Sequence, residues 1–352
     1  MTPVYVTATG QTDNLGDSLL RRGYLQALRT KGRLHVNLAG SNGDYISGLD
    51  LRPDDMVYDS ARAWEVKLLR DLVRGQRPLL ALNAGEARIT ATHAYVGLRM
   101  AVLASLVRAA KGDFVQAGLG VREAPDVVRT RAVSWALKRA SVVTWRDPVS
   151  RTAVGIGSVQ PDWAFALEPL SAPAHRDLIS ISMRGDRPMP GEHWFRIVRM
   201  MAEQCQARIV LISQVRRDDE RLSEIAQRLG DDVDVVPWPA QQNHADRLDL
   251  VSEYYSRSHA VVSDRLHALI LGAIHGAVPV GLASASAEKL RRTLSPAGMD
   301  GWCFDSSELP SLQGVVIPPS PSVIALSEGA RAETRRVADA IGARQYREER
   351  TR

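Results

Sequence analysis

The block at 260–282, AVVSDRLHALILGAIHGAVPVGL, constrains the fold more than any other part of the sequence. Ala260–Val262 is an apolar run typical of the end of a buried strand. Apolar residues then recur from Leu266 to Ala273 at the spacing of one helix face. Gly276 ends this helix, and Val278–Val280 starts another apolar run. The block therefore predicts strand, tight turn, helix and strand, which is the repeating unit of a parallel α/β sheet.

The turn of this block carries polar side chains where an α/β sheet places its ligands, at the carboxyl end of a strand. Ser263 or Asp264 can cap the helix, whose first turn favours an anion. Arg265 adds a permanently charged planar fork, and His267 can carry a proton near neutral pH. Either residue alone is more typical of a cap or a solvated surface. Together they predict a small-anion site with an acid beside it, whereas His275 at the helix end is interpreted as structural.

The remaining chain repeats the same alternation of strands and helices, which predicts parallel sheets. The predicted strands of the first half are Val4–Thr9, His35–Leu38, Pro78–Asn83, Asp113–Ala117 and Ser141–Trp145, and the predicted helices are Ala61–Arg74, His93–Ala110 and Val127–Ala140. Leu167–Asp177 contains prolines and lacks periodicity, so it predicts a linker. A second domain then begins with the strand Leu178–Met183, and a final helix is predicted at Ser327–Ile341, packing back across both domains.

Two further turns follow predicted strands. Asn14, Gly16 and Asp17 come after the first strand. A simple helix cap at Asp13, Asn14 or Asp17 explains these residues as well as a role in a binding site does. Gly118, in VQAGLGV, allows a positive φ and predicts a tight turn.

Composition bounds the functional classes. The chain has 352 residues, 45% of them apolar and 24% charged, which suits two globular domains. It has no run of apolar residues long enough to span a membrane and no N-terminal secretory pattern, so a cytoplasmic protein is expected. The two cysteines fit no metal spacing. The net charge of +5 suits anionic small substrates or an anionic membrane surface, whereas no basic run interleaved with aromatic residues indicates nucleic-acid binding. The arginine-rich tail, 344–352, is expected to be a solvated end.

The block at 263–279 resembles the C-terminal signature of the polysaccharide pyruvyl transferase family, S-x-R-L/F-H followed by a Gly-x-Pro turn. Ser263, Arg265, Leu266, His267 and Gly276 match this pattern, although two residues rather than one separate the glycine from the following proline.

Other blocks are similar to the same family. Asn14–Asp17 resembles its N-x-G-D block, Arg146-Asp147 its R-D pair, and Pro161–Phe165 its P-D-x-A-F block.

The resemblance implies two Rossmann-like, doubly wound domains facing a cleft, as in GT-B glycosyltransferases. The implied limits are 1–168 for the acceptor-sugar domain, 169–320 for the phosphoenolpyruvate domain, and 321–352 for a C-terminal helix and basic tail. The implied activity is transfer of pyruvate from phosphoenolpyruvate to a sugar of a glycan or glycolipid precursor, as a cyclic ketal. The acceptor can be lipid-linked, which would bring the enzyme to the inner membrane face.

The family also implies roles for individual residues. His267 is the expected acid and Asp17 the expected base. The expected substrate-binding residues are Arg184, Arg265, Leu266, Lys289, Asn14, Gly16 and Gly118. No metal and no cofactor is expected, because phosphoenolpyruvate is a co-substrate.

Two other functions fit parts of this pattern. A GT-B glycosyltransferase would use cations at the same strand ends for a nucleotide sugar, with Asp264 or Glu288 as the ribose-binding acid. A non-catalytic anion- or sugar-binding protein would not need Arg265, His267 and Lys289 together.

Overall fold

The computed structural model describes residues 1–87, 91–121, 134–135, 137–171 and 175–343, and it contains two parallel sheets with helices between their strands. The first sheet has the strand order β3-β2-β1-β4-β6-β7-β8, with β5 beside β6. Its strands are β1 Pro3–Thr7, β2 Arg33–Asn37, β3 Met56–Tyr58, β4 Leu79–Ala81, β5 Gly85–Ala87, β6 Asp113–Val121, β7 Val142–Trp145 and β8 Ser158–Val159. The accompanying helices are α1 Leu15–Arg29, α2 Gly43–Ser47, α3 Ala61–Val73, α4 Ala91–Ala109 and α5 Pro148–Val154.

The second sheet has the order β11-β10-β9-β12-β13-β14, the strand order of a doubly wound nucleotide-binding fold. Its strands are β9 Leu178–Ser182, β10 Arg208–Ile212, β11 Val233–Val236, β12 Ser258–Ser263, β13 Val278–Leu282 and β14 Cys303–Phe304. Its helices are α6 Glu192–Cys205, α7 Asp219–Leu229, α8 His244–Ser256, α9 Leu266–Ile274 and α10 Glu288–Leu294, followed by α11 Ser320–Ala340. The strand order reverses between β9 and β12, so a crevice opens beyond their carboxyl ends.

The two domains share buried surface. The start of α1 packs in the core of the second domain through Leu15 and Leu19. The short helix Trp163–Ala166 places Trp163 in a core of the first domain and Phe165 in the core of the second. Helix α11 also spans both domains, because Val323 lies in the second core and Val337 in the first. Apolar burial therefore holds the walls of the cleft together.

The predicted fold class of two facing α/β domains is confirmed, and the differences concern element limits. The last helix begins seven residues before the predicted Ser327. Residues 118–121 continue β6 as an irregular strand rather than forming a turn, although Gly118 has the expected φ of +75°. The predicted helix Val127–Ala140 and the tail 344–352 lie largely or wholly outside the described residues. In the part of the chain that the structure describes, no helix is both long and apolar enough to cross a membrane.

We predict that Phe165→Ala lowers the free energy of unfolding by about 3–5 kcal/mol, the usual cost of removing a buried ring. Phe165 is fully buried where the first domain enters the second core. Urea unfolding measures the change, and Val316→Ala, at a side chain 79% exposed, is the control. Equal stability of the two variants would contradict this role.

Candidate active site

His267 lies where the two domains meet. It stands in the first turn of α9, at the carboxyl edge of the second sheet, and its imidazole packs on Gly16 at the start of α1. A Cβ on Gly16 would lie 2.4 Å from His267 Nδ1, so this approach is open only to glycine. The sequence predicted Gly16 as a substrate-binding residue, whereas the structure shows it making room for the imidazole.

A buried carboxylate stands behind this imidazole. Asp162 Oδ2 is 3.7 Å from His267 Nε2 and 3.8 Å from Arg146 Nη1, and Asp162 is fully buried. Its other oxygen, Oδ1, accepts the N–H of Ala164 at 2.9 Å. Burial raises the pKa of Asp162, but His267, Arg146 and the Ala164 N–H outweigh it and hold the pKa below its usual value. Asp162 is therefore an anion beside His267.

Further cations gather on Glu86 across the cleft. Glu86 Oε1 accepts from Arg146 Nη2 at 3.3 Å, and Oε2 accepts from Lys289 Nζ at 3.1 Å. Arg292 Nη2 lies 3.9 Å from the same carboxylate. Glu86 belongs to β5 of the first domain, whereas Lys289 and Arg292 belong to α10 of the second. Ionisable side chains thus run continuously from His267 through Asp162, Arg146 and Glu86 to Lys289.

The two arginines predicted to bind the anion form a second group. Arg265 donates to Asp218 through Nε at 2.7 Å and through Nη2 at 2.6 Å, and Asp218 is fully buried. Arg184 makes a similar two-bond pair with Asp186, at 2.9 and 2.7 Å. Both arginines follow strands at one edge of the second sheet, as predicted, but each fork is occupied by a carboxylate.

The residues predicted to cap α9 have other partners. Asp264 Oδ1 accepts the backbone N–H of Arg184 at 2.8 Å, and burial raises the pKa of Asp264 to about 6. Ser263 Oγ accepts the backbone N–H of Arg265 at 2.8 Å, just before the helix. The start of α9 therefore has no side-chain cap.

The predicted base, Asp17, lies close to His267 but is already paired. Its Oδ2 accepts the N–H of Gln11 at 2.7 Å, and Oδ1 lies 3.2 Å from Arg21 Nη1. Burial raises the pKa of Asp17, but Arg21, the Gln11 N–H and His267 outweigh it and lower the pKa. Asp17 is therefore ionised at neutral pH.

Three other predicted binding residues have structural roles. Asn14 caps α1, because its side chain accepts the N–H of Gly16 at 3.0 Å. Leu266 packs in the core of the second domain. A Cβ on Gly118 would lie 2.5 Å from the ring of Trp163, so this glycine is needed for packing.

Sequence reasoning gave no site role to Arg146, Asp162, Glu86 or Arg292. Arg146 directly follows β7, so the strand-end rule that identified Arg265 could have found it. Asp162 belongs to the block that resembles the family's P-D-x-A-F motif, which could have pointed to it. Glu86 carried no comparable signal, since its partners are distant in sequence. His275, interpreted as structural, accepts the N–H of Leu170 at 3.2 Å, and burial lowers its pKa to about 4. Within the described ranges, no group of three His, Cys, Asp or Glu side chains could hold a metal ion.

Two facing parallel-sheet domains with ionisable side chains at the cleft define a GT-B-like α/β enzyme. The chain belongs to the polysaccharide pyruvyl transferase family, whose model matches residues 14–286, and it is therefore a transferase. No curated protein matches the sequence.

Solved structures show the same fold at low identity. Anabaena HepE, in complex with UDP and glucose, is 13% identical with a TM-score of 0.52, and the match covers 100% of this chain and 99% of HepE. A Listeria monocytogenes protein, described as a UDP-N-acetylglucosamine 2-epimerase, is 12% identical with a TM-score of 0.52, covering 99% and 97%. These likenesses support the fold alone.

We predict that Gly16→Ala lowers kcat, because the added methyl group pushes the His267 imidazole from its place. Gly43→Ala is the matched control, since a Cβ there meets nothing within 4 Å. Single-turnover rates, with circular dichroism to verify folding, measure the effect. If both variants have wild-type rates, the imidazole position does not matter for turnover.

Proposed function

We propose that this transferase moves the pyruvyl group of phosphoenolpyruvate to a sugar of a glycan or glycolipid precursor, forming a cyclic ketal and releasing phosphate. The observation that carries the proposal is the cation-rich chain from His267 to Lys289, which joins both walls of the cleft. It combines an acid with positive charge for an anionic donor. Phosphoenolpyruvate is a co-substrate, and the proposed reaction needs no redox cofactor.

Donor binding is assigned to the group around Glu86. Arg146, Lys289 and Arg292 place three cations around one carboxylate. Arg146 is 3% exposed and lies between the carboxylates of Glu86 and Asp162, so its guanidinium is held at this place in the cleft. Arg265 has its fork filled by Asp218, which makes it a weaker candidate than the sequence suggested. Charge-assisted bonds to phosphate and carboxylate supply affinity and orientation.

The proposed chemistry starts with a proton. His267 gives its proton to the methylene carbon of phosphoenolpyruvate, which leaves C2 electron-poor. An acceptor hydroxyl forms a bond to C2, the C2–O bond to phosphate breaks, and a second hydroxyl closes the ketal. Of the two hydroxyl protons, one replaces the proton that His267 gave to carbon, and the other leaves with the phosphate. Asp17, beside His267 on the first domain, is proposed to receive the first hydroxyl proton.

The acceptor is proposed to enter along the first domain, because Asp17 and Gly16 belong to it. A lipid-linked or glycolipid acceptor would bring the enzyme to the cytoplasmic face of the inner membrane.

We predict that Arg146→Gln and Lys289→Gln each weaken phosphoenolpyruvate binding by about 10- to 150-fold, the loss of one bond to a charged group. Arg184→Gln is the matched control, because Arg184 makes two hydrogen bonds to one carboxylate, Asp186, whereas Arg146 and Lys289 share Glu86. Calorimetry measures all three. If Arg184→Gln instead weakens binding more than the other two variants do, the donor lies beside Arg184 and Arg265, as the sequence alone predicts. Tight binding of a nucleotide sugar with none of phosphoenolpyruvate would instead favour a glycosyltransferase.

We predict that His267→Ala retains donor binding but lowers turnover by about 10²–10⁴-fold, the usual contribution of a positioned acid. In deuterated water, the wild-type product should carry deuterium in its new methyl group. Wild-type turnover by the variant would refute the acid role.

Asp162→Asn tests the carboxylate beside this acid through kcat. Asparagine can still accept the Ala164 N–H but removes the negative charge that lies 3.7 Å from His267 Nε2. We therefore expect a lower kcat with donor binding retained. A folded variant with the kcat of the wild type would mean that Asp162 only supports the fold.

A further inference from the structure

Large apolar side chains are exposed mainly on one flank of the first domain. Of the twelve large hydrophobic residues that the described chain exposes, nine lie between Met56 and Val149. On α3, Leu69 is 40% exposed and Val73 is 89% exposed. On α4, Val102 is 53% exposed. This concentration differs from the single scattered residues that are normal on a protein surface.

Seven of these nine side chains, all except Met56 and Val57 of β3, share one surface, because the opposite sides of their helices share one core. Trp64 of α3, Leu103 of α4, Leu137 and Val154 of α5 belong to a single apolar cluster on one face of the first sheet. The exposed sides of α3, α4, α5 and the residues around Leu137 therefore form one layer, here called the outer flank. Helices α1 and α11 cover the opposite face of the sheet.

The exposed charge of the outer flank is positive. Arg62, Arg70 and Arg74 on α3, and Arg108 and Lys111 at the end of α4, are exposed. They stand beside the exposed aliphatic side chains on the same helices.

The acidic side chains of the same segments, 61–77, 99–113 and 137–154, offset Lys67, Arg99 and Arg108 but not Arg62, Arg70, Arg74 or Lys111. Asp71 and Asp113 are buried and paired with Lys67 at 2.6 Å and Arg108 at 3.2 Å. Asp147 is buried as the cap of α5, and Glu65 is paired with Arg99. The exposed Asp59 precedes α3 and stands outside these segments.

We propose that the outer flank docks on the surface of an anionic lipid bilayer. Aliphatic side chains interleaved with arginines suit the headgroup region, where the apolar parts are buried and the guanidinium groups meet phosphates. Trp135 is 54% exposed with Arg139 stacked 3.6 Å from its ring centroid, an amphipathic pair of the kind that lies at membrane interfaces. The proposal concerns a surface apart from the cleft and does not depend on the identity of the donor.

Vesicle co-sedimentation tests this docking with the full chain. Phosphatidylcholine vesicles with a rising fraction of phosphatidylglycerol should bind increasing amounts of protein, and salt should weaken the binding. Each basic residue near an anionic surface contributes roughly fivefold to partitioning, so Arg70→Glu/Arg74→Glu should bind roughly 30-fold more weakly or worse. Leu69→Ser/Val73→Ser should reduce the binding that remains at high salt.

The matched control is Arg335→Glu/Arg336→Glu on α11, which makes the same change of charge at side chains 64% and 78% exposed on the opposite face. It should bind as the wild type does, and circular dichroism should show all variants folded. Absence of wild-type binding, equal binding to neutral vesicles, or equal loss in both arginine variants would overturn the proposal. The proposal would also be overturned if the protein formed a dimer that only the flank variants dissociate. The same holds if the protein bound duplex nucleic acid but not vesicles, and only the flank variants lost that binding.

Discussion

The close approach of His267 to Gly16 is the contact on which the cleft depends. A glycine at the start of α1 lets an imidazole from the second domain lie against the backbone of the first. The same end of α1 is buried in the second core through Leu15 and Leu19. Packing between the domains therefore places the imidazole, and any change in the domain angle would move it away from Asp162 and Asp17.

The cations of the cleft fall into two groups with different electrostatic states. Arg265 and Asp218 form a buried two-bond pair, in which each charge compensates the other. Removing one partner of such a pair leaves the other charge buried and is strongly destabilising. Glu86, by contrast, is approached by three cations from two domains. The second group brings cations from both domains together at the cleft, which is why the proposed donor is placed there.

The outer flank of the first domain also combines compensated carboxylates with exposed positive charge. The carboxylates of α3, and Asp113 at the start of β6, are buried or paired, and arginines are exposed beside aliphatic side chains. The cleft and the outer flank are thus built by different surfaces of the same sheet: its carboxyl edge holds ionisable residues, and one of its faces carries the apolar and basic side chains.

The sequence by itself determined the two α/β domains, the family and the place of His267, because these depend on local periodicity and short motifs. Arg265 and Arg184 were also correctly placed after β12 and β9, at one edge of the second sheet. Only the tertiary structure showed that both forks are occupied, and that Arg146, Asp162 and Glu86 join His267 to Lys289. Those partners are separated by up to 203 residues, so no local pattern could pair them. Ion pairing and close packing depend on distances between atoms, which only the folded chain defines.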